Sequence, residues 1–301
     1  MESVNVLNYL KRPEYVFRPR QVLNRLSRRE KKVPSTAQVT LPWGVTVRVS
    51  PGENVGSDIF YFGIFDRIVP ETIYRLTDEG ELAVEAGANI GQNCSLLAYR
   101  TGCGGRVMAF EPHPEIFEEL KSNVNQWPER IRRNVQLENV ALGEIAGEAW
   151  LAEGSGFDTN RGAASISNDS TAAGRRHKVA LNKLDQYLPA PAKVGVCKID
   201  VEGHEHAVLK GAQHTLERGG IRDIIFEDFN PKPSPVTEFL TQYGFTIFEL
   251  HVTWLKPRLN PMNSGNAPHA GHFSSNYLAT LAPERARKRF RPPGWRCLLN
   301  L

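Results

Sequence analysis

The sequence predicts an α/β protein, a mostly parallel sheet with helices on both faces and a smaller cap in front of it. Three observations carry this. From residue 81 onward, short apolar runs alternate with segments whose apolar residues recur at helical spacing. The junction Leu82-Ala83-Val84-Glu85-Ala86-Gly87-Ala88-Asn89-Ile90-Gly91 passes from strand to helix through two glycines four apart. Successive strands then end in polar residues, Glu85, Glu111, Asn139, Asp200 and Glu227, at the edge where open parallel sheets bind ligands.

The elements follow in order. Residues 1–35 read as a basic helical appendage, with Val4, Leu7, Leu10 and Val22, Leu23, Leu26 at helical spacing before the charged run 28–32. Residues 36–80 form the cap. In it, 39–41 and 45–49 alternate around Pro42-Trp43-Gly44 as a hairpin, and the aromatic-rich helices 58–65 and 69–76 are placed to pack over the strand–helix junction. The main domain, 81–283, continues with a helix from Gln92, a strand over 106–110 stopped by Glu111-Pro112, a helix over 114–126 and a strand over 135–137. After a strand over 148–152 comes a stretch, 153–176, too long and polar for a plain connection, and so a lid or an insert. A strand over 179–181, a short helix over 184–188 and the most apolar strand, 194–199, come next. They precede one helix over 205–218, a strand over 223–226 and a helix capped by Ser234-Pro235. Strands over 245–250 and 276–281 flank a Pro/Asn/Gly/His-rich excursion, 256–272, and 284–301 form a basic C-terminal tail.

Bulk properties narrow the class. The 301 residues suffice for one large domain with additions, and 41% hydrophobic content is ordinary for a soluble protein. No run approaches the roughly 20 apolar residues that span a bilayer, and the first ten residues lack a signal core, so a cytoplasmic protein is expected. Cys94, Cys103, Cys197 and Cys297 show no CxxC pairing, which argues against a zinc site or a disulfide framework. The net charge of +4 divides into +11 on the two ends (1–33 and 284–301) and −7 between them. Those ends suit contact with nucleic acid, anionic lipid or an acidic substrate, or are plain solvated tails. No aromatic-interleaved basic stripe occurs between them, so no nucleic-acid partner is expected.

The strand–helix junction narrows the ligand. Gly87 and Gly91 let the backbone turn sharply and leave the first helical amides bare. Neither a phosphate-gripping Gly-Lys-Ser/Thr nor a G-x-G-x-x-G is present. Glu85 at the strand end would repel a diphosphate but accept hydrogen bonds from a cationic amine, which suits S-adenosylmethionine. Glu111, 24 residues after Gly87, stands near the spacing at which an acid accepts both ribose hydroxyls, or else caps the helix after Pro112, and Asn139 is placed either to bond the adenine edge or only to make a turn.

The densest polar cluster is Lys198-Ile199-Asp200-Val201-Glu202-Gly203-His204-Glu205-His206. Taken with Glu85-Ala86-Gly87-Ala88-Asn89-Ile90-Gly91, Phe110-Glu111-Pro112, Leu184-Asp185 and Leu209-Lys210-Gly211-Ala212, in this order and spacing, it resembles the FkbM family of S-adenosylmethionine-dependent methyltransferases over about residues 55–250. The resemblance implies a Rossmann-like, seven-stranded class I methyltransferase sheet with its last strand antiparallel. It also implies O-methylation of a hydroxyl, often on a sugar or natural product, with Glu85, Gly87, Asn89, Gly91 and Glu111 as cofactor contacts. The chain departs from the family's usual Asp-Val/Ile-Gly in reading Glu85-Ala86-Gly87.

Methyl transfer is an in-line displacement governed by alignment, and a hydroxyl acceptor benefits from a base. Asp200 is the candidate base or its positioner, with Glu202 and His204 shaping the acceptor site; alternatively Asp200 orients the cofactor and His204 caps the next helix. The same acids and histidines are a competing, less favoured set of divalent-metal ligands, although His204 and His206, two apart, point to different sides of a helix. His269 and His272 are further candidates for the acceptor pocket. An NAD-linked oxidoreductase, disfavoured by the missing glycine fingerprint, and a cofactor-binding protein without turnover are the alternative functions.

Overall fold

The computed structural model describes residues 33–154, 156–167, 174–262 and 276–299. The expected N-terminal helices within 1–32 and the residues His269 and His272 lie outside them.

The described residues open with the expected hairpin, β1 (Ala37–Thr40) and β2 (Thr46–Val49), antiparallel and closed over buried Leu41, Trp43 and Val45. Two helices follow, α1 (Asn54–Phe62) and α2 (Ile68–Leu76). The first begins four residues before its expected start, because Glu53 caps it by accepting from the Val55 and Gly56 amides.

Then come β3 (Leu82–Ala86), α3 (Gln92–Thr101), β4 (Arg106–Phe110), α4 (Pro114–Gln126), the single turn α5 (Glu129–Arg132) and β5 (Val135–Glu138). A small sheet interrupts, built from β6 (Ala141–Leu142), β7 (Gly147–Ala152), β8 (Ser165–Ser167) and β9 (Arg176–Asn182) in the order β6-β9-β7-β8. The stretch expected as a lid or insert therefore contributes a strand, β8, paired antiparallel to β7.

The main sheet resumes with β10 (Val194–Ile199), buried throughout. It is followed by α6 (Glu205–Lys210), α7 (Gln213–Glu217), β11 (Ile221–Glu227), α8 (Pro235–Gln242), β12 (Thr246–Val252), β13 (Pro257–Pro261) and β14 (Asn276–Thr280). The strand order is β13-β12-β14-β11-β10-β3-β4-β5. Five neighbouring strands, β11-β10-β3-β4-β5, are parallel, and β14 runs antiparallel between β11 and β12. The sheet has eight strands where seven are expected. The additional one, β13, comes from the Pro/Asn/Gly/His-rich excursion and pairs with β12, so that β13 forms the edge of the sheet. Apolar clusters cover both faces, as the fold class requires.

Two further differences come from contacts between segments distant in the chain. The helix expected over 205–218 is broken into α6 and α7 at Gly211, where a Cβ would lie 2.0 Å from the Gly143 carbonyl oxygen. Asp185 then caps α7 by accepting from the His214 and Thr215 amides, each at 2.9 Å, which gives the Leu184-Asp185 motif a structural task. Residues 284–299, expected as part of a solvated tail, are folded onto the domain. Helix α9 (Pro283–Phe290) leads to a fully buried Trp295. Arg75, buried and ion-paired to Glu71, donates to the carbonyls of Arg289, Pro292 and Gly294, while Glu71 accepts from the Cys297 amide. No described helix is long and apolar enough to cross a membrane.

Candidate active site

A cavity of about 990 Å³ opens at the carboxyl edge of the parallel strands. Glu85, Gly87, Asn89, Glu111, Asp200, Glu202 and His204 all line it. Gly91 and Asn139 do not.

The glycine loop fits the backbone geometry expected of it. Gly87 has φ +79°, and a Cβ there would lie 1.9 Å from the Asp200 carbonyl oxygen. Only glycine lets the loop after β3 nestle against the loop after β10. Asn89 also adopts positive φ, its side chain accepting from the Ile90 amide at 2.7 Å. Gly91, at φ +97°, caps α3 and faces Leu120 and Trp127, so its part is conformational.

Two buried acids face this loop. Glu111 closes β4 and accepts from the Asn89 amide (2.8 Å) and the His113 amide (3.0 Å), one bond to each oxygen. A carboxylate offers about four acceptor sites, so both oxygens retain capacity for a pair of hydroxyls. Burial raises its pKa above the ordinary carboxyl value. Glu85 is more constrained. Burial first, and the Asp200 and Glu111 charges beyond it, push its carboxyl up to about 7 against the pull of Lys198.

Lys198 holds this cluster together, a role its place in the Lys198–His206 motif alone does not reveal. Register places Lys198 beside Glu85 across the β3–β10 pair, so a lysine in an otherwise apolar strand meets its counter-charge in the adjacent strand. Only 4% exposed, its ammonium lies 3.6 Å from Glu85, 3.2 Å from Asp200 and 2.9 Å from the Gly87 carbonyl, to which it donates. Despite burial, the surrounding acids hold its pKa above the ordinary lysine value. Glu85 Oε2 nevertheless has no hydrogen-bond partner and is buried in the cavity wall. A buried carboxylate oxygen without a donor is costly, and a cationic amine in the cavity would complete it.

The motif after β10 is wound tightly. Glu205 Oε1 accepts from the Val201 and Gly203 amides, at 3.1 and 3.2 Å. Glu202 adopts φ +52° and stands at the solvent side. Partial loss of hydration, then the Asp200 and Glu205 charges, raise its pKa to about 7. His204 makes no capping bond to α6. Its ring packs against Gly143, Nε2 is buried without a partner, and burial alone lowers its pKa. No acid contributes to that shift, and the cavity's apolar lining of Ile116, Val140, Ala141, Leu142 and Leu151 suits a flat base.

Asn139 is exposed and donates to the Glu111 and Pro112 carbonyls at 2.8 and 3.1 Å. It fixes the strand-end turn and does not reach into the cavity. His206 packs edge-on to Phe239, away from His204.

Asp66 was not singled out in the sequence. Contributed by the cap at φ +38°, it accepts from Asn276 at 2.9 Å. Burial and the Asp200 charge raise its pKa to about 6. Its only sequence signal was the Asp66-Arg67 step between two helices. A second cluster, His113, Glu153 and His177, also went unread. Both imidazoles reach the same Glu153 oxygen, at 3.1 and 2.7 Å. Because His113 Nδ1 accepts from the Ile116 amide, Nε2 carries the proton and donates to Glu153. The group ties the turn after β4 to the small sheet.

Comparison with known proteins bears on this geometry. The family model described as the methyltransferase FkbM domain matches residues 85–247. A curated relative, the hexuronic acid methyltransferase AglP of Haloferax volcanii, is 26% identical over 177 residues, 55% of this chain and 63% of the relative. The chain thus spans less than two thirds of that relative's length. Among solved structures, an S-adenosylmethionine-dependent O-methyltransferase from Thermotoga maritima is 13% identical over 83% of this chain and 86% of its own, with a TM-score of 0.42. Fibrillarin of Aeropyrum pernix with natively bound S-adenosyl-L-methionine is 14% identical over 83% and 95%, with a TM-score of 0.39.

Proposed function

Since the chain belongs to the FkbM methyltransferase family, whose members use S-adenosylmethionine, we propose that it methylates a hydroxyl oxygen of a sugar, glycolipid or natural product. The observation that carries the cofactor's placement is the unpartnered Glu85 Oε2, buried where the Gly87 loop meets Lys198. S-adenosylmethionine, when bound, supplies a methyl group activated by a sulfonium.

The residues divide the work. Glu85 would accept from the ligand's ammonium, Glu111 from its ribose hydroxyls, and the lobe around Leu142 would cover its base. Asp200 reaches the cavity from the far side of Lys198 and takes the acceptor's proton as the oxygen attacks. Lys198, 3.2 Å from Asp200, holds its carboxylate in place. Glu202, with its pKa near neutrality, receives or returns that proton at the rim. Because Gly87 and the Asp200 backbone touch, the base and the cofactor loop are one rigid unit, which is what alignment of a displacement demands.

Calorimetric titration with S-adenosylhomocysteine, S-adenosylmethionine and NAD tests the cofactor assignment. Micromolar binding of the first two, weakened about tenfold or more by Glu111→Ala, is expected from the loss of a charged hydrogen-bond acceptor. Binding of NAD alone would overturn it. For the base, Asp200→Asn should bind S-adenosylhomocysteine with unchanged affinity and methylate roughly a hundredfold or more slowly. A wild-type rate would remove Asp200 from that role.

A further inference from the structure

Two large aromatic side chains stand in solvent at the mouth of this cavity, on turns that are otherwise tightly fixed. Phe229, 78% exposed, follows β11 by two residues, and Trp254, 55% exposed, follows β12 by two residues; both line the cavity. Strands β11 and β12 are parallel to each other with β14 between them, so the two turns leave the same edge about 10 Å apart. Asn276, the first residue of β14, lies in register beside Glu227 between them.

Neither turn is loose. Buried Asp228 accepts from the Asn230 amide and side chain and from Ser234, and pairs with Lys232 at 2.9 Å. Thr253 bonds the Lys256 amide and carbonyl, and its own carbonyl accepts from the buried Trp295 indole at 3.2 Å. The folded C-terminal segment thereby supports the Trp254 turn. Rigid backbone presenting bare aromatic faces to a cavity mouth marks a binding surface.

Charge narrows the occupant. Among the described residues, six acids line the cavity (Asp66, Glu85, Glu111, Asp200, Glu202 and Glu227) against Arg67, Arg161 and Lys198 and the imidazoles of His204 and His251. Lys198 is committed to Glu85 and Asp200, and Arg161 to Glu119 at 2.7 Å. A cationic cofactor is welcome in such a field, and an anionic acceptor is repelled.

Resting on the methyltransferase reading, we propose that the acceptor is a neutral polyhydroxylated ring, a pyranoside, whose apolar face stacks on Phe229 and Trp254 while Asp66 and Asn276 receive its hydroxyls. A carboxylated ring meets more acids than bases in this lining and is disfavoured beside a neutral one. The positively polarised C–H edge of a pyranose suits the negative face of an aromatic ring.

Saturation-transfer NMR on protein saturated with S-adenosylhomocysteine tests this, with methyl β-D-glucopyranoside, methyl α-D-mannopyranoside and methyl β-D-glucuronopyranoside as probes. At least one neutral ring should bind through one face, about tenfold or more tightly than the uronoside. The variant Phe229→Ala/Trp254→Ala should lose that signal and keep its calorimetric affinity for S-adenosylhomocysteine. Uronoside binding as tight as the neutral rings, signals that survive the double variant, or no pyranoside binding to cofactor-loaded protein would each overturn the proposal and leave the methyltransferase reading in place. Failure of S-adenosylhomocysteine itself to bind would remove both.

Discussion

At the end of the cavity beneath β3 and β4, the groups proposed to meet the cofactor come from two short stretches of chain. Glu85, Gly87 and Asn89 lie within one strand–helix junction, and Glu111 ends the next strand over and bonds back to Asn89. At the other end, Asp66 comes from the cap, Phe229 and Trp254 from turns after two late strands, and Asn276 from a third strand between them. The first end depends on local backbone conformation, and the second on tertiary assembly, including the C-terminal segment beneath Trp254. Lys198 and Asp200 sit at the seam. A construction of this kind holds one ligand in a fixed pose and lets the surface that meets the other change without disturbing it.

The largest expected effect comes from breaking that seam. Gly87→Val places a branched side chain at φ +79° against the Asp200 carbonyl. Strain of a positive φ and overpacking together should cost roughly 4 kcal/mol of stability. S-adenosylhomocysteine binding should vanish in calorimetry even where circular dichroism shows the variant folded at low temperature. Retained affinity would mean that the two loops adjust independently, and the two ends would then be separate modules rather than one unit.

The same contrast explains what could be read in the sequence. The parallel core strands and the helix over 114–126 were legible because hydrophobic period and glycine position are local signals. Glu85, Glu111 and Asp200 were legible because strand ends of a parallel sheet converge on one edge. Asp66 was not, since its meeting with Asn276 spans 210 positions. The break at Gly211 was invisible because its cause, the Gly143 carbonyl, lies in another segment. The C-terminal residues read as a tail because a run of arginines looks solvated until buried Glu71 and Arg75 are seen anchoring the backbone around it.

A smaller effect, readable by pH, sharpens the comparison at Glu85. Its pKa is raised in the folded, ligand-free protein from 4.5 to about 7. The linkage sign follows: across that window the folded state holds the proton more tightly than the unfolded state, so ionisation of Glu85 lowers stability as pH rises from about 4.5 to about 7. A bound ammonium reverses this by favouring the carboxylate. S-adenosylmethionine affinity should therefore climb between pH 6 and 7.5, then fall as the ligand's own α-amino group deprotonates near about 8. Glu85→Gln should flatten the acid limb and leave the basic one. An unchanged acid limb in that variant would move the ammonium to another partner.

The smallest effect separates a residue that touches the ligand from one that shapes what does. Asn139 follows β5 beside Glu111, where a base-reading amide would be expected, yet its Nδ2 is bound to the Glu111 and Pro112 carbonyls and faces solvent. Water can replace those exposed bonds, so Asn139→Ala should cost about 1 kcal/mol of stability or less. Its effect on S-adenosylhomocysteine affinity should stay within about threefold, arising only from looser support of Glu111, well short of the tenfold that a lost direct hydrogen bond in a dry site produces. Glu111→Ala supplies the reference for a contact residue in the same calorimeter. If the two variants weaken binding equally, Asn139 reads the base after all and the cofactor end extends to β5; if they differ as expected, that end is confined to the junction after β3 and the acid after β4.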